Sequence, residues 1–140
     1  MDAQLDQRFR IFAQTALRVA AGFTFLSHGG QKFMGWFGGF GPGGGSADMM
    51  SRFGVAGTIE FFAGICIILG LFTRPIAFIV SGEMAVAYFW MHFGSSGQIW
   101  WWRNGGEVVL LYSFLWLLFA AWGAGPVSLD AWLRSRKAAA

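Results

Sequence analysis

The chain is poor in charge. Only 12% of its 140 residues are Asp, Glu, Lys or Arg, about half the share that keeps an ordinary soluble domain in water. Hydrophobic residues make up 56%, and the mean hydropathy is +0.52. That balance excludes a water-solvated globular domain and indicates an integral membrane protein. Cysteine is scarce as well. Cys66 stands alone within an apolar run, which excludes an internal disulfide, a Cys-x-x-Cys redox pair and a thiolate metal cluster. It reads as a small buried hydrophobe. The net charge of +3 is scattered through loops and tails. It forms no basic face for nucleic acid and reads as a topology signal. The glycine-rich run Gly38–Ser46 lacks the Gly-Lys-Ser/Thr ending and the preceding strand of a phosphate loop. A flexible connector fits that composition better.

Four apolar stretches are present, at about residues 9–27, 55–72, 76–93 and 107–123. Each approaches the roughly 20 residues that cross a hydrocarbon core. They predict a single domain over residues 1–140. The fold class is an all-α membrane protein, a four-helix transmembrane bundle with a glycine-rich outer loop at about 35–50. Arg18 interrupts the first stretch and no small-residue cleavage site follows, so this stretch reads as a retained anchor, not a signal peptide. Arg8, Arg10, Arg74, Arg134, Arg136 and Lys137 fall on one side of such a bundle, with Lys32, Arg52 and Arg103 on the other. That surplus places both termini in the cytoplasm and the chain in the inner membrane as a multi-pass protein. Trp100, Trp101 and Trp102 read as an interfacial belt.

Three strong charges lie inside the apolar stretches: Arg18, Glu60 and Glu83. Each costs about 2.5–3.5 kcal/mol on insertion scales, so each must pair, line a wet cavity or serve chemistry. Counting down from an outer boundary near His28, Gly54 and His92, Arg18 lies about 15 Å deep, Glu83 about 13 Å and Glu60 about 9 Å. Arg18 and Glu83 are therefore expected to form a structural ion pair at the midplane. Glu60 is left without a partner at its own level. His28, Lys32, His92, Asn104 and Glu107 lie above it, in a polar funnel. Arg18, Gly22, Phe25, Gly29 and Lys32 share one stripe of the first helix. Glu83 and His92 are nine steps apart, about 180° on a straight helix. Both face one centre only if the helix bends or ends before His92. Gly57, Gly64 and Cys66 on the second helix, and Gly82 and Ala85 on the third, are small residues suited to close helix contact.

The ordered pieces Arg18/Gly22/Phe25, His28-Gly29-Gly30-Gln31-Lys32, Gly57-Thr58-Ile59-Glu60, Leu69-Gly70-Leu71-Phe72-Thr73-Arg74, Met84/Ala87, His92, Asn104-Gly105-Gly106-Glu107 and Gly125-Pro126-Val127-Ser128-Leu129-Asp130 resemble the DoxX family of small four-helix membrane proteins. The resemblance spans nearly the whole chain. The glycine-rich insertion in the first outer loop departs from it, as does Ala124 between Gly123 and Gly125. The family takes its name from a subunit of a thiosulfate:quinone oxidoreductase. The resemblance thus implies a quinone-linked component, at most a subunit of an oxidoreductase.

The expected site has Glu60 exchanging the proton that accompanies electron transfer, with His28 or His92 on a quinone carbonyl. Lys32, Asn104, Glu107 and Arg18 are its expected ligand-binding groups. No metal site is expected. No intrinsic cofactor is evident, quinone is the candidate carrier, and haem between His28 and His92 is disfavoured by Lys32. Expected partners are the lipid bilayer, a soluble or membrane redox subunit and a second copy of the chain. Two other readings stand beside this one: a non-catalytic scaffold or assembly factor for a soluble redox enzyme, and a small transporter or proton path through Glu60 and Glu83.

Overall fold

The computed structural model describes residues 2–139. Its regular elements are all helical, with no strand among the described residues. Helix α1 spans Ala3–Met34 and is followed by a short 3-10 turn at Trp36–Gly38. Helix α2 spans Arg52–Leu69 and α3 spans Thr73–Ala87. A π-helical turn, Tyr88–Phe93, extends α3 into the single α-turn Gly94–Ser96, α4. The short α5 covers Trp101–Asn104, α6 covers Glu107–Trp122 and α7 covers Leu129–Ala138.

Among the described residues, two helices are long and apolar enough to cross a membrane: Arg52–Leu69 and the continuous run Thr73–Ser96. Helix α6 is apolar but shorter. Helix α1, at 32 residues, is about 48 Å long and outruns the expected first span at both ends. Asp2 caps its start through the Gln4 amide. Gly35, in the left-handed conformation that glycine adopts without strain, ends it. All four main helices present large apolar side chains outward, among them Phe12, Phe23, Phe62, Phe78, Leu111 and Phe114. A water-facing surface of that kind would aggregate; a lipid-facing one is satisfied.

Helices α1 and α2 run antiparallel in close contact, made by glycine. A Cβ on Gly64 would lie 2.7 Å from Leu26, and one on Gly57 would lie 2.5 Å from Lys32 Cβ. A Cβ on Gly29 would collide with the Phe61 backbone. Glycine here removes the spacer between two backbones, which lets dispersion forces hold helices together where lipid supplies no hydrophobic drive. Gly82 differs: it is exposed, with open space about its Cα, so its expected contact role does not hold. Gly29→Ala is therefore expected to destabilise the protein by about 1–3 kcal/mol through overpacking. Gly82→Ala is expected to be neutral or to stabilise by up to about 1 kcal/mol through helix propensity. Thermal unfolding of both variants in detergent checks the contrast; equal midpoints would contradict the packing.

Helices α3 and α6 are joined by a reciprocal pair: Ser81 Oγ donates to Ser113 O at 2.8 Å, and Ser113 Oγ donates to Ser81 O at 3.1 Å. The core gathers Ala21 and Phe25 from α1, Ala63 and Ile67 from α2, Ala77, Val80 and Met84 from α3, and Trp116 and Phe119 from α6. Phe25 sets its ring edge against Trp116 at 5.2 Å between centroids, which joins α1 to α6.

The glycine-rich loop is folded back on itself. Phe40 N donates to Gly45 O at 2.8 Å, and Ala47 N donates to Lys32 O at 2.7 Å. The rings of Phe40 and Phe53 then pack at 4.9 Å. This seats the loop over the same end of the helices as Lys32.

Arg18 is nearly fully buried, 2% exposed, and does not meet Glu83. Its Nη1 donates to Ile67 O and Ile68 O, both at 2.6 Å, and its Nη2 donates to Val127 O at 2.7 Å. The expected Arg18–Glu83 ion pair is thus corrected. The reason is level: Arg18 sits beside the last turn of α2, fourteen residues and about 21 Å along α1 from Lys32. The end of the chain completes this knot. Asp130 Oδ1 accepts from Phe72 N at 2.8 Å and Oδ2 from Thr73 N at 3.0 Å, which caps the start of α3. Ser128 caps α7 by accepting from Ala131 N at 3.2 Å.

Candidate functional site

At the opposite end the four main helices diverge around a cavity of about 780 Å³. Its wall is mostly apolar, from Phe25, Val55, Ile59, Met84, Val109 and Tyr112. Into it come the ionisable side chains of His28, Lys32, Arg52, Glu60, Glu83 and His92, with hydroxyls from Ser95 and Tyr112. Trp90, Val86 and Val55 line it and are also exposed, so it opens sideways between α2 and α3, toward the outer apolar surface.

Glu60 is buried, 3% exposed, and is not alone. Lys32 Nζ donates to its Oε1 at 2.6 Å and its Oε2 at 2.7 Å. This overturns the expectation that Glu60 lacks a partner at its level. The depth count began at His28, whereas α1 continues to Met34 and brings Lys32 down beside Glu60. Gly57 makes the approach possible, since it lies directly against Lys32 Cβ. His28, one turn before Lys32, is exposed at the rim and lies within the electrostatic reach of Glu60.

Glu83 also lies within reach of the Glu60 and Lys32 charges. Both its carboxylate oxygens are buried, and neither accepts a hydrogen bond from any described residue. Glu83 and His92 line one cavity, and the helix that carries them changes from α to π over Tyr88–Phe93, the segment that contains His92. The wider turn removes part of the half-rotation that a straight helix would impose between them. Such turns recur at functional sites.

His92 is fixed by its neighbours. Its Nδ1 lies 3.1 Å from Asn104 O. A carbonyl oxygen only accepts, so Nδ1 carries the proton in that contact and the neutral ring leaves Nε2 as a lone pair. Asn104 is occupied otherwise than expected. Its Oδ1 accepts from Gly106 N at 2.7 Å and its Nδ2 donates to Gln98 O at 2.8 Å. It organises the loop that supports His92 and does not line the cavity. Glu107 is exposed in the first turn of α6 and is likewise outside the lining, as is Arg18 at the far end. These three expected ligand-binding positions are corrected, because their side chains are turned to the loop, to the surface and to backbone carbonyls. No group of three or more His, Cys, Asp or Glu side chains is placed to hold a metal ion among the described residues.

Sequence reasoning missed two contributions. Tyr88 donates its hydroxyl to Ile99 O and anchors the π-helical turn to the following loop. Asp130 stood in the closing motif without a role, although a carboxylate after Ser-Leu has the composition of a helix-start signal. It caps a helix distant in sequence, which local patterning cannot reveal.

The DoxX family model matches residues 13–93. An uncharacterized protein of Haemophilus influenzae is 42% identical over 126 residues, which cover 89% of this chain and 92% of that protein. No solved structure matches the chain. A match across more than half of the sequence, together with a relative similar along nearly its full length, identifies this chain as a member of the DoxX family, a family of membrane proteins.

Proposed function

We propose that this DoxX protein is a four-helix transmembrane bundle of the inner membrane, with both termini cytoplasmic, that binds a quinone or comparable lipid-soluble carrier in its cavity and works with a redox partner subunit. The observation that carries the reading is the cavity: an apolar chamber, open toward the outer apolar surface, where polar side chains from α1, α2 and α3 converge. A headgroup with an apolar tail fits that combination, the ring among Phe25, Met84 and Tyr112 and the tail leaving between α2 and α3. The topology draws support from Lys32. Once it is spent on Glu60, Arg52 and Arg103 alone oppose the six basic residues at the terminal end.

The donor set suits such a ligand. Lys32 and His28 offer N–H groups to carbonyl oxygens. Glu60, bridged to Lys32, holds a proton-exchanging oxygen at the chamber wall. A bound quinone supplies two-electron redox chemistry; the chain positions it and manages its protons. With one cysteine, the chain has no dithiol to supply electrons, and a partner subunit is the proposed donor.

Titration of the purified protein with decylubiquinone, followed through quenching of tryptophan fluorescence, tests this. Trp90 in the cavity wall makes quenching a local signal. Saturable binding is expected, weakened at least tenfold in Glu60→Gln. Absence of saturable quenching would remove the reading. Capture of a soluble redox enzyme by wild type and Glu60→Gln alike, without quinone binding, would favour the scaffold alternative.

A further inference from the structure

The cavity contains a hydrogen-bond acceptor that its own fold leaves unused. Glu83 comes from α3 with both carboxylate oxygens buried and no donor from any described residue. Buried polar atoms are nearly always paired, and one left unpaired costs about 1–3 kcal/mol, more when charged. No cation among the described residues bonds to it. Arg18, the cation expected to hold it, is committed to three backbone carbonyls at the end of α2 and ahead of α7. Lys32 spends two of its three N–H groups on Glu60 and gives none to Glu83. Glu83 thus points to something that enters the chamber.

A second acceptor lies on the same wall. His92 engages Asn104 O through Nδ1, so its Nε2 presents a lone pair. Helix α3 and its π-helical extension therefore carry two acceptors, Glu83 and His92, that line one cavity. Helix α1 carries the donors, Lys32 and His28. The chamber is asymmetric in its unused groups: the unpaired acceptor oxygens lie on α3, and the donors Lys32, His28 and Arg52 lie on α1 and α2.

From this asymmetry we infer that Glu83 is a ligand-specificity residue that accepts a hydrogen bond from a hydroxyl on the bound headgroup, so that the cavity prefers the hydroxyl-bearing, reduced form of the carrier over its dicarbonyl form. This rests on the reading of the cavity as a carrier site. A quinone presents carbonyl oxygens only and leaves an ionised Glu83 unpaired. A hydroquinone presents a hydroxyl to Glu83 at one end and still accepts from Lys32 or His28 at the other. Sites built to hydrogen-bond a ligand O–H discriminate strongly against analogues without one, because the site's buried group is then left bare.

The test compares decylubiquinone, decylubiquinol kept reduced under anaerobic conditions, and the dimethyl ether of decylubiquinol, each titrated into the full-length protein in detergent. The expected result is binding of the quinol at least tenfold tighter than either the quinone or the ether. Glu83→Met is expected to bring all three within threefold of one another. Glu83→Gln, which keeps one acceptor oxygen in the same shape, should retain part of the preference. Equal binding of the three probes to wild type overturns the inference and leaves the carrier site standing. So does a preference that survives in Glu83→Met. Binding of none of them overturns both the inference and the proposed function. The wild-type comparison needs no substitution, so a variant that fails to fold does not rescue the inference.

Discussion

Arg18→Met is expected to lower the stability of the protein in detergent by about 3–5 kcal/mol, the loss typical when one side of a buried charge network is removed. The guanidinium serves three carbonyls on two separate segments, Ile67 and Ile68 at the end of α2 and Val127 ahead of α7. Methionine fills similar volume but leaves these acceptors in an apolar surround. The charge itself is well placed, since a cation at a helix C-terminus meets the negative end of the helix dipole. Asp130 adds an opposite charge within electrostatic reach. Arg18→Lys is expected to recover less than half of the loss, because one ammonium cannot span carbonyls that a planar fork reaches together. The turn offers little room to adjust. Gly70 has φ 67°, and a Cβ there would lie 2.8 Å from Arg18 Nη1. Carrier affinity in Arg18→Lys, measured well below its melting temperature, should stay within threefold of wild type, because the knot lies about 21 Å along α1 from Lys32. Unfolding midpoints measured by circular dichroism decide the point; a loss under about 0.5 kcal/mol for Arg18→Met, the range of a surface change, would contradict the role assigned to it.

The same residue shows how far the sequence reaches. That Arg18 is buried was legible, because a charge within an apolar span has few other places to go. The stripe it shares with Gly22, Phe25 and Gly29 was legible too, since 3.6-residue periodicity is a property of the chain alone; all four side chains or glycines are buried on α1. Its partners were not legible. Backbone carbonyls carry no residue identity, whereas Glu83 displays the opposite charge in the sequence itself. The bend ahead of His92 could be read from a conflict in angles, although a π-helical turn has no reliable local signature. The pairing of Lys32 with Glu60 was hidden by a helix end. Depth was counted from His28, and an end displaced by six residues shifts every level by about 9 Å. Asn104 and Glu107 were placed in the funnel because they are polar and near the boundary. Which way a loop side chain turns depends on hydrogen bonds such as Asn104 to Gly106 and Gln98, and those exist only once the loop is folded.

Lys32 and Glu60 together supply the second large expected effect. Lys32→Met should destabilise by about 3–5 kcal/mol, since it strands a buried carboxylate. Glu60→Met should do so by less. The Lys32 side chain is 18% exposed against 4% for Glu60, and a long flexible stem can carry its ammonium toward the rim when its partner is gone. The double variant, Lys32→Met with Glu60→Met, removes both charges and both desolvation penalties. It should be neutral, or more stable than wild type by about 1–4 kcal/mol, as buried ion pairs replaced by apolar residues often are. The cycle formed by these variants should therefore be strongly non-additive, and unfolding free energies in one detergent measure it; additive losses would mean that the two side chains do not interact. The informative species is the double variant itself. It should be well folded and yet fail to bind the carrier, because the chamber then has the right volume without its donors. A stable double variant with wild-type affinity would show the pair to be a structural element only. A stable one without affinity separates function from fold at the same two residues: an ion pair that the bundle does not require for stability is retained because the ligand requires its charge.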